Sequence, residues 1–347
     1  LTITWIAATS VALALLAVNV WRVAGRKSAA PAERGEPLIV YCAHDAIYAQ
    51  QVLDAFTDRT GIRVQARFDT EATKSLGLTE LIARERQAPR CDVFWNNEPL
   101  GTMDLAEQGL LEPYEGPNHA RIPAAYRDAQ NRWAGFAARV RVWIVNRDQH
   151  AVDLAAIDQT LAGSDLKRVT MAKPLFGTTR AHYTALWSVM GSDALQAWHR
   201  DLRTRGLIEA TSNGHTKNLV AQGACAIGWT DTDDFFVALD AGAHVAMLPA
   251  LLPTGQGIVI PNTVALVRGS DQPEAARKLV DFLLSEEGEL LLAGTQSRQV
   301  PLGPVDDAKL SDQVRQQRPW TTNPIPMERL NESRAATLAW LKSEYLQ

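Results

Sequence analysis

Between residues 38 and 114, short apolar runs alternate with amphipathic stretches, and that alternation leaves the chain few ways to fold. The runs are LIVY (38–41), IRVQARF (62–68) and CDVFWN (91–96). LIVY suits a parallel strand covered on both faces, and IRVQARF alternates as a strand does. In AIYAQQVLDAFTDRTG (46–61), Ile47, Val52, Leu53 and Phe56 share one helical face and Gly61 stops the helix. TEATKSLGLTELIARERQ (70–87) reads as a second helix. PLGTMDLAEQGLLEPY (99–114) reads as a third, with Pro99 in the favoured first turn. Strand and helix in strict succession imply a doubly wound α/β domain.

The pattern continues with a long strand at 136–146 (FAARVRVWIVN), short strands at 168–172 and 225–229, and an extended piece at 257–268 broken by Pro261. Helices are expected at about 180–205, 214–223, 273–294 and 328–346. The strand at 136–146 and the piece at 257–268 are where one sheet can pass into another. Two such crossings give two doubly wound α/β lobes joined by hinge strands, with a cleft between them. The expected first lobe is 37–138 with 262–305, and the second is 139–261 with 306–347.

Residues Leu1 to Trp21 carry no charged side chain, and about 20 such residues cross a bilayer core. Arg22, Arg26 and Lys27 follow, then a small-residue linker, SAAPAERGEP. Residues 1–36 are therefore expected to be a signal peptide, cut near Ser28-Ala29-Ala30, or a retained membrane anchor, plus linker. Either places the rest of the chain outside the inner membrane.

Of the 347 residues, 46% are hydrophobic and 21% charged, and the net charge is −4, which excludes a disordered or collagen-like chain. No basic, aromatic-interleaved patch suggests nucleic acid as a partner. The three cysteines show no CxxC or zinc spacing and read as buried apolar residues. HExxH, GxSxG, GxxxxGK[ST] and GxGxxG are all missing, which favours a binder over an enzyme.

In open α/β sheets ligands sit beyond the carboxyl ends of the strands. Four such ends are rich in polar residues. Thr230-Asp231-Thr232-Asp233-Asp234 packs three carboxylates into four residues, which repel unless a hard cation, donors or solvent offset them. The bland alternative is a helix-start capping cluster. Glu98, after Asn96-Asn97, is a ligand candidate or a helix-start acid. His44-Asp45 is suited to a metal or anion, or Asp45 caps the helix from 46. Phe176-Gly177-Thr178-Thr179, with Arg180 and His182 on the next turn, suits a phosphate or carboxylate cradled by free N–H groups. Arg139 and Arg141 alternate on one strand and face one side, either clamping an anion or facing solvent.

Several strings together resemble the extracellular solute-binding proteins of ABC importers, in the ferric-iron-binding-like branch of the type 2 periplasmic binding proteins. They are VYCAHDAIYAQQVLDAFTDRTGIRV (40–64), DTEATKSLGL (69–78), DVFWNNE (92–98), WAGFAARVRVWIVN (133–146), AKPLFGTTRAH (172–182), GWTDTDD (228–234) and IPNTVALV (260–267). The resemblance runs from about 38 to 303. It implies two lobes closing on a ligand, delivery to a permease and its ATPase, and no chemistry of its own. Ferric iron is the implied cargo, or another hard cation, with a synergistic anion. His44 and Glu98 roughly fit the branch's His and Glu ligands, with the local spacing shifted by about one. Where that branch has two adjacent tyrosines, this chain has Thr232-Asp233 or Asp233-Asp234. The implied metal set is His44, Glu98, Asp231 and Asp233. The implied anion or ligand set is Asp45, Asn97, Arg139, Gly177, Thr178, Thr179, His182, Asn213 and Asp234. A phosphorylated or phosphonate solute is the alternative cargo. From other classes, a secreted metal-dependent hydrolase would use the TDTDD carboxylates, and a sensory module would use the same clamp. The protein is expected to be monomeric.

Overall fold

The computed structural model describes residues 35–69 and 75–346, and the apolar segment read as a signal or anchor lies outside them. From Pro37 onward the chain is one unit. Its first part follows the expected succession: β1 (Leu38–Cys42), α1 (Ala46–Thr60), β2 (Val64–Phe68), α2 (Leu76–Arg84), β3 (Val93–Asn96) and α3 (Pro99–Glu107). Gly61 ends α1 in the left-handed region at φ +73°, where its lack of a Cβ removes the penalty. The expected helix at 99–114 is shorter: the chain turns at Gly109 (φ +72°) and enters β4 (Leu111–Glu112).

β5 (Ala134–Asn146) follows, buried along its whole length. The second half then runs α4 (Leu154–Ala162), β6 (Val169–Ala172), α5 (Gly177–Met190), α6 (Ser192–Thr204), β7 (Ile208–Ala210), α7 (Asn213–Ala221), β8 (Ile227–Asp231), α8 (Thr232–Asp240), β9 (Val245–Pro249) and β10 (Val259–Val267). The chain closes with α9 (Pro273–Leu283), α10 (Glu286–Gly294), α11 (Asp312–Gln317) and α12 (Met327–Tyr345). Two expected single helices are pairs. Gly191, at φ +82°, divides α5 from α6, and Ser285 caps α10 by accepting from the Gly288 N–H. α4, β7 and β9 carry no strong periodic signal in the sequence.

The hydrogen-bonded strand order is β2-β1-β3-β10-β5-β8-β6-β7. β1 pairs parallel with β2 and β3, and β6 pairs parallel with β7 and β8, so each side is an α/β lobe. β5 belongs to both. Its residues from Ala134 to Val140 pair antiparallel with β10, and those from Arg141 onward with β8, joined by β9 from Val142. Near the passage β5 bulges: Ala138 faces Pro261, Phe136 faces Asn262, and Ala137 between them has φ +36°. A buried carboxylate supports the strained residue. Glu289 accepts from the Ala137 N–H at 2.9 Å and is paired with Arg121 at 2.6 Å.

α12 bridges the two sides. Its Trp340 lies on Tyr183 and Trp187 of α5, while Arg334 donates to Asp104 of α3 at 2.7 Å and pairs with Glu107. All three cysteines are buried. Among the described residues no helix is long and apolar enough to cross a membrane.

Candidate functional site

A small cleft opens where the carboxyl ends of the strands meet. The ends of β1 and β3 bring Asp45 and Asn97, β5 brings Arg139, and the β6–α5 turn brings Lys173, Phe176, Gly177, Thr178 and Thr179. β7 leads to Thr211, Ser212 and Asn213, and β8 to Asp231, Asp233 and Asp234. The lining is polar because each of these strands ends in a turn whose backbone groups need partners.

The acidic cluster begins α8. Asp231 sits in the N-cap position but makes no side-chain capping bond. Its Oδ1 accepts from Arg141 Nη1 at 2.8 Å, and its Oδ2 accepts from Asn213 Nδ2 at 3.0 Å and from the Thr178 hydroxyl. Asp233 pairs with Arg139, Nε to Oδ2 at 3.1 Å, and accepts from the Asp234 N–H. Asp234 accepts from the Thr230 hydroxyl at 2.7 Å. One oxygen from each of the three acids lies within 4.8 Å of the others. Burial and the charges of Asp233 and Asp231 push the Asp234 carboxyl up to about 8. Asp231 and Asp233 are thus offset by Arg141 and Arg139, and the third acid, Asp234, holds its proton at neutral pH. The start of α8 favours the two charged acids, since the helix N-terminus is positive.

Beside it stands the start of α5, whose Thr178 hydroxyl donates to Asp231. Phe176 occupies the N-cap and offers no side-chain acceptor, so the first-turn N–H groups, which have no intrahelical partner, are left for something else. Gly177 begins the turn at φ +53° with nothing within 4 Å of where a Cβ would stand. Thr178 and Thr179 both reach Asn213: Nδ2 donates to Thr178 Oγ1 at 2.7 Å, and the Thr179 hydroxyl donates to Oδ1 at 2.9 Å. Arg141 joins them, with Nη1 on the Asn213 Oδ1 at 3.1 Å. Two buried polar atoms, Arg141 Nη2 and Asn97 Oδ1, find no partner among the described residues. Orphaned polar atoms at such a place suit a ligand that would satisfy them.

Arg139 spans the floor of the cleft. Besides Asp233 it holds the Asn97 carbonyl through Nη1 at 2.9 Å and the His44 ring through Nη2 at 3.0 Å. Burial opposes its charge, but Asp233 and Asp231 outweigh that and hold the guanidinium above its usual range.

Three expected residues are placed elsewhere. His44 is buried with both ring nitrogens engaged, Nδ1 by Arg139 and Nε2 by Gln299 at 3.1 Å, and it stands apart from the acidic trio. Glu98 is fully buried as the N-cap of α3. It accepts from Leu100 N at 2.6 Å, Gly101 N at 3.1 Å, the Ser75 hydroxyl and Arg180 Nη2 at 3.1 Å. Three of these donors crowd Oε1 and one reaches Oε2, and Glu98 does not line the cleft. His182 lies behind Arg141, whose Nε points at its Nδ1 across 3.4 Å, and does not line the cleft. Burial first, then Arg141, drives its imidazole well below its usual range, so it stays neutral. Asp45 lines the cleft and makes no side-chain capping bond for α1.

Arg141, Lys173, Thr211 and Ser212 were not in the expected set. Arg141 and Lys173 had a signal: alternation with Arg139 on one strand face, and position at the end of a strand. Thr211 and Ser212 follow β7, a three-residue strand too short to show a period.

Residues 44–290 match the family model described as bacterial extracellular solute-binding protein. An Fe(3+)-binding periplasmic protein of Serratia marcescens is 27% identical over 193 residues, 55% of this chain and 55% of its own length. The match thus spans about half of that relative. A Salmonella typhimurium periplasmic protein named for 2-aminoethylphosphonate binding is 25% identical over 249 residues, 71% of each chain. The crystal structure of iron-bound HitA from Pseudomonas aeruginosa superposes with a TM-score of 0.75 at 22% identity, covering 89% of this chain and 99% of that one. These relatives are binding proteins rather than enzymes. With two α/β lobes, crossing hinge strands and a family match across the cleft's residues, this chain belongs to the bacterial extracellular solute-binding proteins and has the type 2 periplasmic binding protein fold.

Proposed function

We propose that the chain is the substrate-binding component of an ABC importer, capturing ferric iron or another hard cation with an accompanying anion and passing it to a permease and its ATPase. The observation that carries this reading is the convergence of Asp231, Asp233 and Asp234, whose oxygens lie within 4.8 Å of one another beside the open N-terminus of α5. Carboxylate oxygens are hard donors suited to a hard cation. Arg139 and Arg141 now hold two of those acids. An anion seated on Gly177, Thr178, Thr179 and the two guanidinium groups would draw the arginines off and release the carboxylates, so cation and anion would bind as a pair. The Asn213 amide, Asn97 and Asp45 complete the wall. Relatives named for iron binding support this cargo.

In this reading the lobes divide at 138/139 and 261/262, with 306–347 in the second lobe. The protein works as a monomer outside the inner membrane, and residues 1–36 export or tether it.

A second reading is a solute carrying an ammonium and a phosphonate group, the amine on the acids and the phosphonate on the α5 turn. It is favoured by the absence of any tyrosine from the cleft lining among the described residues, and by the Salmonella relative's name. Tyr48 lies close enough to feel Asp233, but burial, with Asp233 and Asp45, raises its phenol and keeps it from ionising.

Native mass spectrometry of residues 37–347, exported and purified without chelators, separates the two. A stoichiometric metal lost on acidification supports the first reading. An organic mass containing phosphorus supports the second. A bare mass that gains neither ferric citrate nor 2-aminoethylphosphonate on incubation overturns both.

A further inference from the structure

Glu98 and Arg180 come from opposite lobes. Glu98 follows β3 in the first, and Arg180 stands on the first turn of α5 in the second, one residue after the Gly177-Thr178-Thr179 turn. Arg180 Nη2 meets Glu98 Oε1 at 3.1 Å, and both side chains are buried. The pair extends into a chain of alternating charge. Arg180 also acts on Asp104, which accepts from Arg334, which in turn pairs with Glu107. Arg334 belongs to α12, which packs on α5 through Trp340, so the network and α12 tie the same helix to the first lobe.

We infer that the Glu98–Arg180 ion pair is a latch that holds the two lobes together and positions the α5 turn against the first lobe. The chemistry supports a switchable contact. Glu98 is oriented before the pair forms, because the Leu100 and Gly101 N–H groups fix its carboxylate at the start of α3. Arg180 is carried by a helix whose adjacent residues face the cleft, so any movement of that turn moves the guanidinium with it. A buried ion pair repays its desolvation only with good geometry and further hydrogen bonds, and Glu98 has them. The pair also sets a built-in guanidinium on Oε1 of Glu98, which itself does not line the cleft. Arg180 and Glu98 are thus positioning residues, and the inference rests on the cleft being the cargo site only for its effect on affinity.

The experiment uses the mature chain with spin labels at exposed Gln50 and Asn218, one in each lobe, and measures their distance distribution with no cargo added. The native cysteines are buried and stay unlabelled. Arg180→Gln and Glu98→Gln should each shift the distribution to longer distances, the double variant should go no further than either, and Arg180→Lys should restore part of the short population. Glu98→Gln keeps an oxygen to cap α3, so it reports even where an arginine variant folds poorly. Dissociation of ferric citrate and of 2-aminoethylphosphonate is followed in parallel, and for whichever binds it should speed by about tenfold. A distance shift without a change in either probe supports the latch while removing the cleft as their site. Unchanged distances in both glutamine variants overturn it.

Discussion

Arg139 holds Asp233 with Nε 3.1 Å from Oδ2, while its two other nitrogens reach back to Asn97 and His44 at the end of the first lobe's strands. One guanidinium therefore touches both banks of the cleft. The acid it holds is one of the three proposed to take the cation.

Asp233→Ala removes that acid and leaves Arg139 with its first-lobe partners. Cation affinity should fall by at least about tenfold, or about 1.4 kcal/mol. Titration with ferric citrate, followed by tryptophan fluorescence, checks it. Unchanged affinity would take Asp233 out of the site.

Arg139→Ala and Arg141→Lys test the anion side. Arg141→Lys keeps the charge but loses the planar fork that reaches Asp231 and Asn213 together. Both should weaken a phosphonate or the synergistic anion by about tenfold or more. Because Arg141 is buried against Asp231, Arg141→Ala should cost about 3–5 kcal/mol of stability as well. Calorimetry with 2-aminoethylphosphonate, beside urea unfolding, separates the two effects.

The Asp234 carboxyl, raised to about 8, is mostly protonated at pH 7. A cation landing on the trio must displace that proton. Apparent affinity should therefore rise with pH up to about 8 and then level off. Calorimetry in buffers of different ionisation enthalpy should show close to one proton released at pH 7. Asp234→Asn should abolish that release.

His199 sits between two phenols, with Tyr183 at 2.9 Å from Nδ1 and Tyr345 at 3.1 Å from Nε2. Burial first, then Arg203 and Arg200, lowers its imidazole to about 4. Its unfolded counterpart takes up a proton near 6.5, so its contribution to stability is complete above that pH and drains away as pH falls towards 4. Between pH 7 and pH 5 the loss should be about 2 kcal/mol. Buried His182, lowered well below its usual range, acts in the same direction. Urea midpoints at the two pH values measure the combined loss, and His199→Gln should remove its own share and leave that of His182.

Much of this was legible in the residues because period and punctuation are local. LIVY and CDVFWN are buried strands, Gly61 stops a helix, and Pro99 starts one. The lobe crossing at 136–146 showed as an apolar run too long for an ordinary strand. What the residues could not show is whatever depends on partners distant in sequence. Glu98 read as a ligand candidate or a helix-start acid, and it sits at the start of α3; its further partners on Oε1, Ser75 and Arg180, lie 23 and 82 residues away. The contact of His44 with Gln299 spans 255 residues. The turn at Gly191 was hidden because the apolar pattern runs through it on both sides. β7 and β9 were missed because each is short and gains its order from neighbours in the sheet.

β5 is shared by both lobes, and its pairing passes from β10 to β8 between Val140 and Arg141. The two guanidinium groups that face the cleft's acids flank that junction. A change in the angle between the lobes that is taken up at this passage turns one side chain relative to the other. Opening the lobes there would misalign the two arginines directly, so the strand that joins the lobes would itself loosen what the arginines hold.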